Sequence, residues 1–279
     1  MNARRLLLGC TLILSAASPG VQAQVPLTAP EQVWIAVESP GADAVKLEAK
    51  LYRPPGDGPF PLALVSHGST GGGAVSPGLT LRPETLAPLL VARGIVVLAP
   101  MRRGRGASGG SYDEPYGCDY GGAQRGLENA MADTDAALAY ARTLPYVDSS
   151  RVLLAGSSRG GLLSIAYAQR RPGIAAGIVN FVGGWHGDTC PNDFNRYVFR
   201  RAGAAVTVPT LWLYTENDRY YSPRSIRAYA NEFESAGGRV TLRVYPPQGA
   251  DGHYLTRHPD VWRGDLESFL DRLGLPARP

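Results

Sequence analysis

The pentapeptide Gly156-Ser157-Ser158-Arg159-Gly160 carries the clearest chemistry in this sequence. It places a serine between two glycines, each two positions away, in the pattern G-x-S-x-G. The apolar run Val152-Leu153-Leu154-Ala155 leads into it and a helix-compatible stretch follows. A strand that turns this sharply into a helix strains the backbone of the residue at the apex. It also needs small neighbours two residues to either side, because strand and helix approach closely there. Gly156 and Gly160 meet that need for Ser158, whereas Ser157 has Arg159 as its downstream second neighbour. Ser158 is therefore the candidate nucleophile, with the backbone N–H groups around it aimed at a developing oxyanion.

A serine hydroxyl is a poor nucleophile at neutral pH, so it needs a base, and the base needs an orienting acid. In strand–turn–helix sites of this kind the chain order is serine, acid, histidine. His186, His253 and His258 follow Ser158. His253 sits in the glycine-containing loop Gly249-Ala250-Asp251-Gly252-His253, after the last strand-like segment, where a base can reach back to the serine. His258 precedes Pro259 and reads as a solvated surface residue. His186 lies in an aromatic segment upstream of any acid loop and reads as a pocket or structural residue. Among acids, Asp218 closes the loop Thr215-Glu216-Asn217-Asp218 after a strand, with Glu216 in reserve. Asp251 is too near His253 in sequence to stand behind its ring. The second oxyanion donor is expected in Ser66-His67-Gly68-Ser69-Thr70-Gly71-Gly72-Gly73, where glycines let backbone approach a substrate. The N–H of Ser69 is paired there with that of Arg159, and His67 is read as fixing the loop. Such chemistry needs no metal or cofactor.

The elements that must position these groups alternate along the chain. Strands are expected at 31–38, 45–53, 61–66, 94–99, 151–155, 174–182, 209–215 and 239–245. Helices are expected at 83–93, 124–143, 160–170, 223–235 and 262–273. The first two strands read as an antiparallel pair. The later ones form repeated βα units, which imply a mostly parallel central sheet with helices on both faces. The segment at about 183–205 reads as a lid-like loop insertion in one domain spanning 24–279.

The whole chain has 279 residues, 44% of them hydrophobic and 19% charged. That balance excludes intrinsic disorder. The formal net charge is +4. Its lysines are Lys46 and Lys50, so arginine carries nearly all the positive charge. The arginines are scattered, and the one basic cluster, Arg102-Arg103-Gly104-Arg105, is short and followed by Asp113 and Glu114. A nucleic-acid footprint would be a longer one-sided stripe, so no nucleic-acid partner is expected. Residues 1–23 combine Arg4-Arg5, a short apolar core and Val21-Gln22-Ala23. That is the pattern of a secretory signal peptide cut after Ala23, with a lipobox reading at Cys10 as the alternative. The run is too short to span a bilayer, and no stable membrane insertion of the mature chain is expected. Cys118 and Cys190 remain after cleavage. An oxidising compartment favours pairing them, with two free thiols as the alternative.

The ordered set His67-Gly68, the Arg102-to-Gly106 loop with Ser108-Gly109-Gly110, Ser158, Asp218 and His253 resembles the α/β-hydrolase superfamily. Within it, the chain is similar to dienelactone hydrolase-like and prolyl oligopeptidase-like enzymes, over roughly 45–273. The resemblance implies an α/β-hydrolase fold and serine hydrolase machinery. Two departures bear on substrate. Dienelactone hydrolase itself carries cysteine at the elbow, where this chain has Ser158, and prolyl oligopeptidases carry a β-propeller for which this length leaves no room.

Three loops are expected to leave one edge of the sheet, where α/β proteins bind ligands. They bring Tyr112, Tyr116 and Cys118, then Trp185, His186 and Cys190, then Tyr220 and Tyr221. Trp185, His186 and Tyr220 are the substrate-pocket candidates, suited to an apolar or aromatic group. A Cys118–Cys190 bridge would tie the first two loops together. The expected activity is that of a secreted or periplasmic carboxylesterase-like serine hydrolase acting on a small-molecule ester. An amidase or small peptidase is the near alternative, and a non-catalytic binding protein on a hydrolase fold the distant one. The oligomeric state is left open.

Overall fold

The computed structural model describes residues 29–38, 44–69, 79–191 and 193–275. The leader expected at 1–23, with Cys10 and the cut after Ala23, lies outside the described residues, as do glycines 71–73. The elements run in the order β1 (Glu31–Val37), β2 (Val45–Tyr52), β3 (Phe60–Ser66), α1 (Leu86–Ala92), β4 (Val96–Pro100), α2 (Tyr120–Arg142), β5 (Val147–Ser157), α3 (Arg159–Arg170), β6 (Ala175–Phe181), α4 (Phe194–Gly203), β7 (Pro209–Thr215), α5 (Pro223–Ser235), β8 (Arg239–Tyr245) and α6 (Pro259–Arg272). A short 3-10 turn, Gly252–Arg257, precedes α6.

The strands form one eight-stranded sheet in the order β1-β2-β4-β3-β5-β6-β7-β8. β2 runs antiparallel to both β1 and β4, and all pairings from β4 to β8 are parallel. β1 lies at an edge and alternates, with Val33, Ile35 and Val37 buried and the residues between them exposed. β3 and β4 are buried at every position, as strands covered on both faces must be. The order reverses between β3 and β5. That switch point opens a crevice at the carboxyl ends of both strands, where ligands bind in sheets of this class.

Side-chain alternation along β6 shows how the faces are covered. Phe181 packs edge-on against Trp262 of α6, with ring centroids 4.9 Å apart. A side chain at Gly177 would meet Leu273 and Phe269 on that same face. Asn180 points the other way, toward Gly161 of α3. On β7, Trp212 packs against Phe199 of α4 at 4.7 Å and Phe233 of α5 at 5.2 Å.

The segment at 183–205, expected as a loop insertion, carries α4. This helix buries Phe194, Asn195, Val198, Phe199 and Ala202 against the core, so its two phenylalanines belong to the fold, while Tyr197 is exposed. Cys118 and Cys190 form a disulfide across a sequence separation of 72 residues. It joins the loop before α2 to the segment between β6 and α4. No helix among the described residues is long and apolar enough to cross a membrane.

The bridge closes a long loop, so its main contribution is to restrict the unfolded chain. Replacing both Cys118 and Cys190 by serine is expected to lower the unfolding free energy by about 2–4 kcal/mol. Urea unfolding at neutral pH measures it, and a midpoint unchanged from the parent would show that the bridge adds nothing to stability.

Candidate active site

Ser158 stands between the last residue of β5 and the first of α3. Its backbone has φ 55° and ψ −123°, a conformation that L-residues rarely adopt. The surroundings leave it no alternative. A β-carbon at Gly156 would lie 2.2 Å from the Gly160 carbonyl oxygen, and one at Gly160 would lie 2.1 Å from that of Ser66. Strand and helix are thus pressed together by the absence of side chains at these two positions. Ser158 N–H donates to Phe181 O at 2.9 Å, and Gly184 N–H donates to Ser158 O at 3.2 Å. The apex is fixed from β6 as well as from its own strand.

His253 reaches the serine from the 3-10 turn that follows β8. Its Nε2 lies 3.0 Å from Ser158 Oγ, and its Nδ1 lies 3.1 and 3.0 Å from the two carboxylate oxygens of Asp218. A carboxylate only accepts, so Nδ1 carries the proton and Nε2 is left to accept from the serine hydroxyl. The Asp218 side chain is fully buried. Its Oδ1 also accepts the N–H groups of Tyr220 (2.8 Å) and Tyr221 (3.1 Å), which hold it at the end of β7. Asp251 takes the backbone N–H of His253 rather than its ring, at 2.9 Å. A β-carbon at Gly252 would sit 1.7 Å from Thr215 Oγ1, so only glycine lets the histidine loop dock on β7. Tyr220 lays its ring against the imidazole, with centroids 4.4 Å apart. The arrangement can pass a proton from a serine hydroxyl to an imidazole whose resulting charge faces a buried carboxylate.

The backbone at 67–69 runs alongside. A β-carbon at Gly68 would be 3.1 Å from that of Ser158. His67, Gly68 and Ser69 line the same cavity as Ser158 and His253, about 460 Å³ in volume. Arg159 follows the serine at the start of α3, and its side chain turns inward, donating to the carbonyls of Glu114 and Pro115 at 2.9 Å each. Of the expected pocket residues, only Tyr220 lines this cavity. Trp185 and His186 are buried, and their N–H groups donate to Asn195 Oδ1 at 2.8 and 3.1 Å. Trp185 also lies under the Arg159 guanidinium, 5.0 Å away. The cavity instead takes its apolar wall from Leu81, Leu86, Phe181 and Tyr254, and its rim from Arg82 and Arg257. In the sequence, the stretch supplying Leu81 and Leu86 carries only the signal of a helix start.

A model of the dienelactone hydrolase family matches residues 79–259. This chain belongs to that family. A curated relative, the quorum-quenching protein AidA of Acinetobacter baumannii, is 33% identical over 137 residues, which are 48% of this chain and 39% of that protein. The chain therefore spans well under half the length of that relative. Esterase Pf2001 of Pyrococcus furiosus superposes with a TM-score of 0.64 at 17% identity, over 92% of this chain and 95% of that one. Est1E of Butyrivibrio proteoclasticus, solved with ferulic acid bound, gives 0.63 at 17% identity, over 86% and 98%. The acylaminoacyl peptidase of Pyrococcus horikoshii gives 0.63 at 15%, over 91% of this chain and 43% of that one. These likenesses show an α/β-hydrolase fold.

In this dienelactone hydrolase family member, His67 has a fixed tautomer. Arg102 N–H donates to its Nε2 at 3.1 Å, so Nδ1 donates to Gly68 O at 2.6 Å. Burial, reinforced by the Arg102 cation and opposed by Glu114, lowers its pKa from 6.5 to about 3. Between those values the unfolded chain takes up a proton that the folded chain refuses, so stability falls as pH falls. Acidification from pH 6.5 to 4 is expected to cost about 2 kcal/mol through this ring, less than the full shift because the ring is partly exposed at the cavity wall. His67→Asn offers a donor and an acceptor without titrating. Its unfolding free energy should vary less over this range in parallel urea titrations, and an equally steep variant profile would remove His67 as the source.

Proposed function

We propose that this protein is a serine hydrolase that cleaves carboxylic esters through an acyl-enzyme. The observation that carries the reading is the continuous chain from Ser158 Oγ to His253 Nε2 at 3.0 Å and from Nδ1 to Asp218, with Ser158 held in a strained turn. Ser158 Oγ attacks the carbonyl carbon while His253 takes its proton. The oxyanion of the tetrahedral species is held by the N–H groups of Ser69 and Arg159. Collapse breaks the ester C–O bond, and the imidazolium returns the proton to the departing alcohol. Water, deprotonated by the same imidazole, then cleaves the acyl-enzyme and restores the serine. Asp218 keeps the ring in the required tautomer throughout.

The cavity of about 460 Å³ suits a small molecule. Its wall of Leu81, Leu86, Phe181 and Tyr220 suits an apolar or aromatic group beside the scissile bond. The ferulic acid held by Est1E is consistent with such a group. The Cys118–Cys190 disulfide supports action outside the reducing cytosol, in the periplasm or medium.

Labelling with a fluorophosphonate should be complete in the parent and absent in Ser158→Ala. Hydrolysis of p-nitrophenyl esters should fall by about 10,000-fold or more in that variant. Equal labelling of both proteins, or of neither, would refute the catalytic reading and leave a binding protein on a hydrolase fold. A series of p-nitrophenyl esters run beside a lactone and peptide anilides fixes the bond. Faster turnover of the anilides would replace the esterase by an amidase.

A further inference from the structure

Behind the oxyanion donors lies a buried charge network that takes no part in the proton transfers. Arg102, Glu114 and Arg159 have side chains only 3–6% exposed. Arg102 grips Glu114 with two donors, Nε to one carboxylate oxygen and Nη2 to the other at 3.0 Å. The second of those oxygens lies 3.6 Å from Arg159 Nη1. Burial by itself would raise the pKa of Glu114, but the two cations, Arg102 foremost, bring it to about 2, so the carboxyl is ionised in the folded protein.

Each arginine ends on one half of the oxyanion site. Arg102 holds His67 at two points: its backbone N–H donates to Nε2, and its Nη1 donates to the His67 carbonyl at 2.7 Å. His67 in turn closes the Gly68 turn through Nδ1, which sets where the Ser69 N–H points. Arg159 is the residue whose own N–H is the second donor. Its guanidinium is tied to the carbonyls of Glu114 and Pro115. Glu114 is the residue common to both: its carboxylate is gripped by Arg102, and its backbone carbonyl accepts from Arg159.

Building on the serine hydrolase reading, we propose that Glu114 is a positioning residue that sets the Ser69 and Arg159 N–H groups at the separation an oxyanion requires. Buried ion pairs are poor devices for stability, since apolar replacements often do as well. They are good devices for direction, because a carboxylate gripped by two donors fixes the plane of one guanidinium while its charge attracts the second cation 3.6 Å away. The short sequence cluster Arg102-Arg103-Gly104-Arg105 followed by Asp113 and Glu114, too short and mixed for a nucleic-acid footprint, is thus in part an internal brace.

The test uses Glu114→Gln and Arg102→Lys in the full chain. The lysine keeps the charge but has a single nitrogen with which to reach Glu114 and the His67 carbonyl. Turnover of p-nitrophenyl acetate is expressed per site titrated with fluorophosphonate. The expected result is a kcat per site about 10- to 100-fold lower, with KM moved by less than about threefold. The Ki of phenylboronic acid, whose adduct with Ser158 is tetrahedral, should rise by a similar factor. A purely structural brace would lower the melting temperature and the number of titratable sites, while kcat per site and the boronate Ki stayed at parental values. That outcome overturns the proposal, as does failure of both variants to fold. Ser158→Ala, run alongside, separates the two readings. If it is inactive while both brace variants match the parent per site, only the positioning role falls. If it hydrolyses ester as the parent does, the serine hydrolase reading falls first.

Discussion

The geometry of the site depends on how closely β5, α3 and β3 approach around Ser158. A residue at φ 55° and ψ −123° does not hold that conformation by itself. Here the conformation is enforced because Gly156 packs on the Gly160 carbonyl and Gly160 packs on the Ser66 carbonyl, contacts that a single β-carbon would break. The same approach requires β3 and β5 to be adjacent and parallel, as they are at the point where strand order reverses. One steric condition therefore fixes the serine, places the 67–69 backbone beside it and opens the crevice in which a substrate must sit. A second strained residue, Val182 at φ 44°, lies where β6 leaves the sheet next to the elbow. The glycines after it are needed for room: a β-carbon on Gly184 would strike the Tyr221 ring at 2.4 Å.

Electrostatics does a different job. Besides Asp218 within the site, charged groups lie behind it, in the pairing of Arg102 and Arg159 with Glu114, and Arg105 stacks over Tyr112 at 3.6 Å in the same region. The same loop is tied by the Cys118–Cys190 bridge, which sits a few residues beyond Glu114 on one side and a few beyond His186 on the other. The covalent tie and the buried carboxylate therefore act on the same stretch of chain, 112–118. The first limits how far it can open, and the second orients what it touches.

Much of the site is legible in the sequence because its constraints are steric. Glycines two residues either side of a serine, at a strand-to-helix junction, point to one backbone geometry. The order of Ser158, Asp218 and His253 then follows from the topology of parallel sheets. The pairing of Cys118 with Cys190 is what an oxidising compartment would favour. The features that escape a sequence reading are those whose local pattern resembles something else. α4 contains Asn195, Arg196, Arg200 and Arg201 among its aromatics and follows a cysteine and a proline, so its apolar face is hard to see. Yet Asn195 is buried because it caps the Trp185 and His186 backbone. Trp185 and His186 look like pocket residues by composition but are core by contact. Glu114 and Arg102 stand in the sequence only as members of a short mixed-charge stretch. Nothing local distinguishes a buried ion pair from an exposed one, because the partners come together only when the loop from 101 to 119 folds back on itself.

His253 is held by other means than Ser158. His253 rides on a single 3-10 turn, docked through Gly252 N–H to Asn217 O at 3.2 Å and through Asp251, which also accepts the Arg219 N–H at 3.2 Å. On the far side, Thr85 gives its hydroxyl to Thr256 O at 2.6 Å, although Thr85 is the N-cap of α1 and leaves that helix without a side-chain cap. A capping bond is typically worth about 1 kcal/mol, so the threonine has forgone a modest stabilisation of α1 to tie the histidine turn to the cavity wall. The nucleophile is thus placed by close packing that tolerates no change. His253 is placed by the close approach of Gly252 to Thr215, by the two oxygens of Asp218 and by several single hydrogen bonds along its turn. Both groups are thus brought within 3.0 Å of each other from opposite sides of the crevice, Ser158 by its own strand and helix and His253 by a turn that must dock on the end of β7.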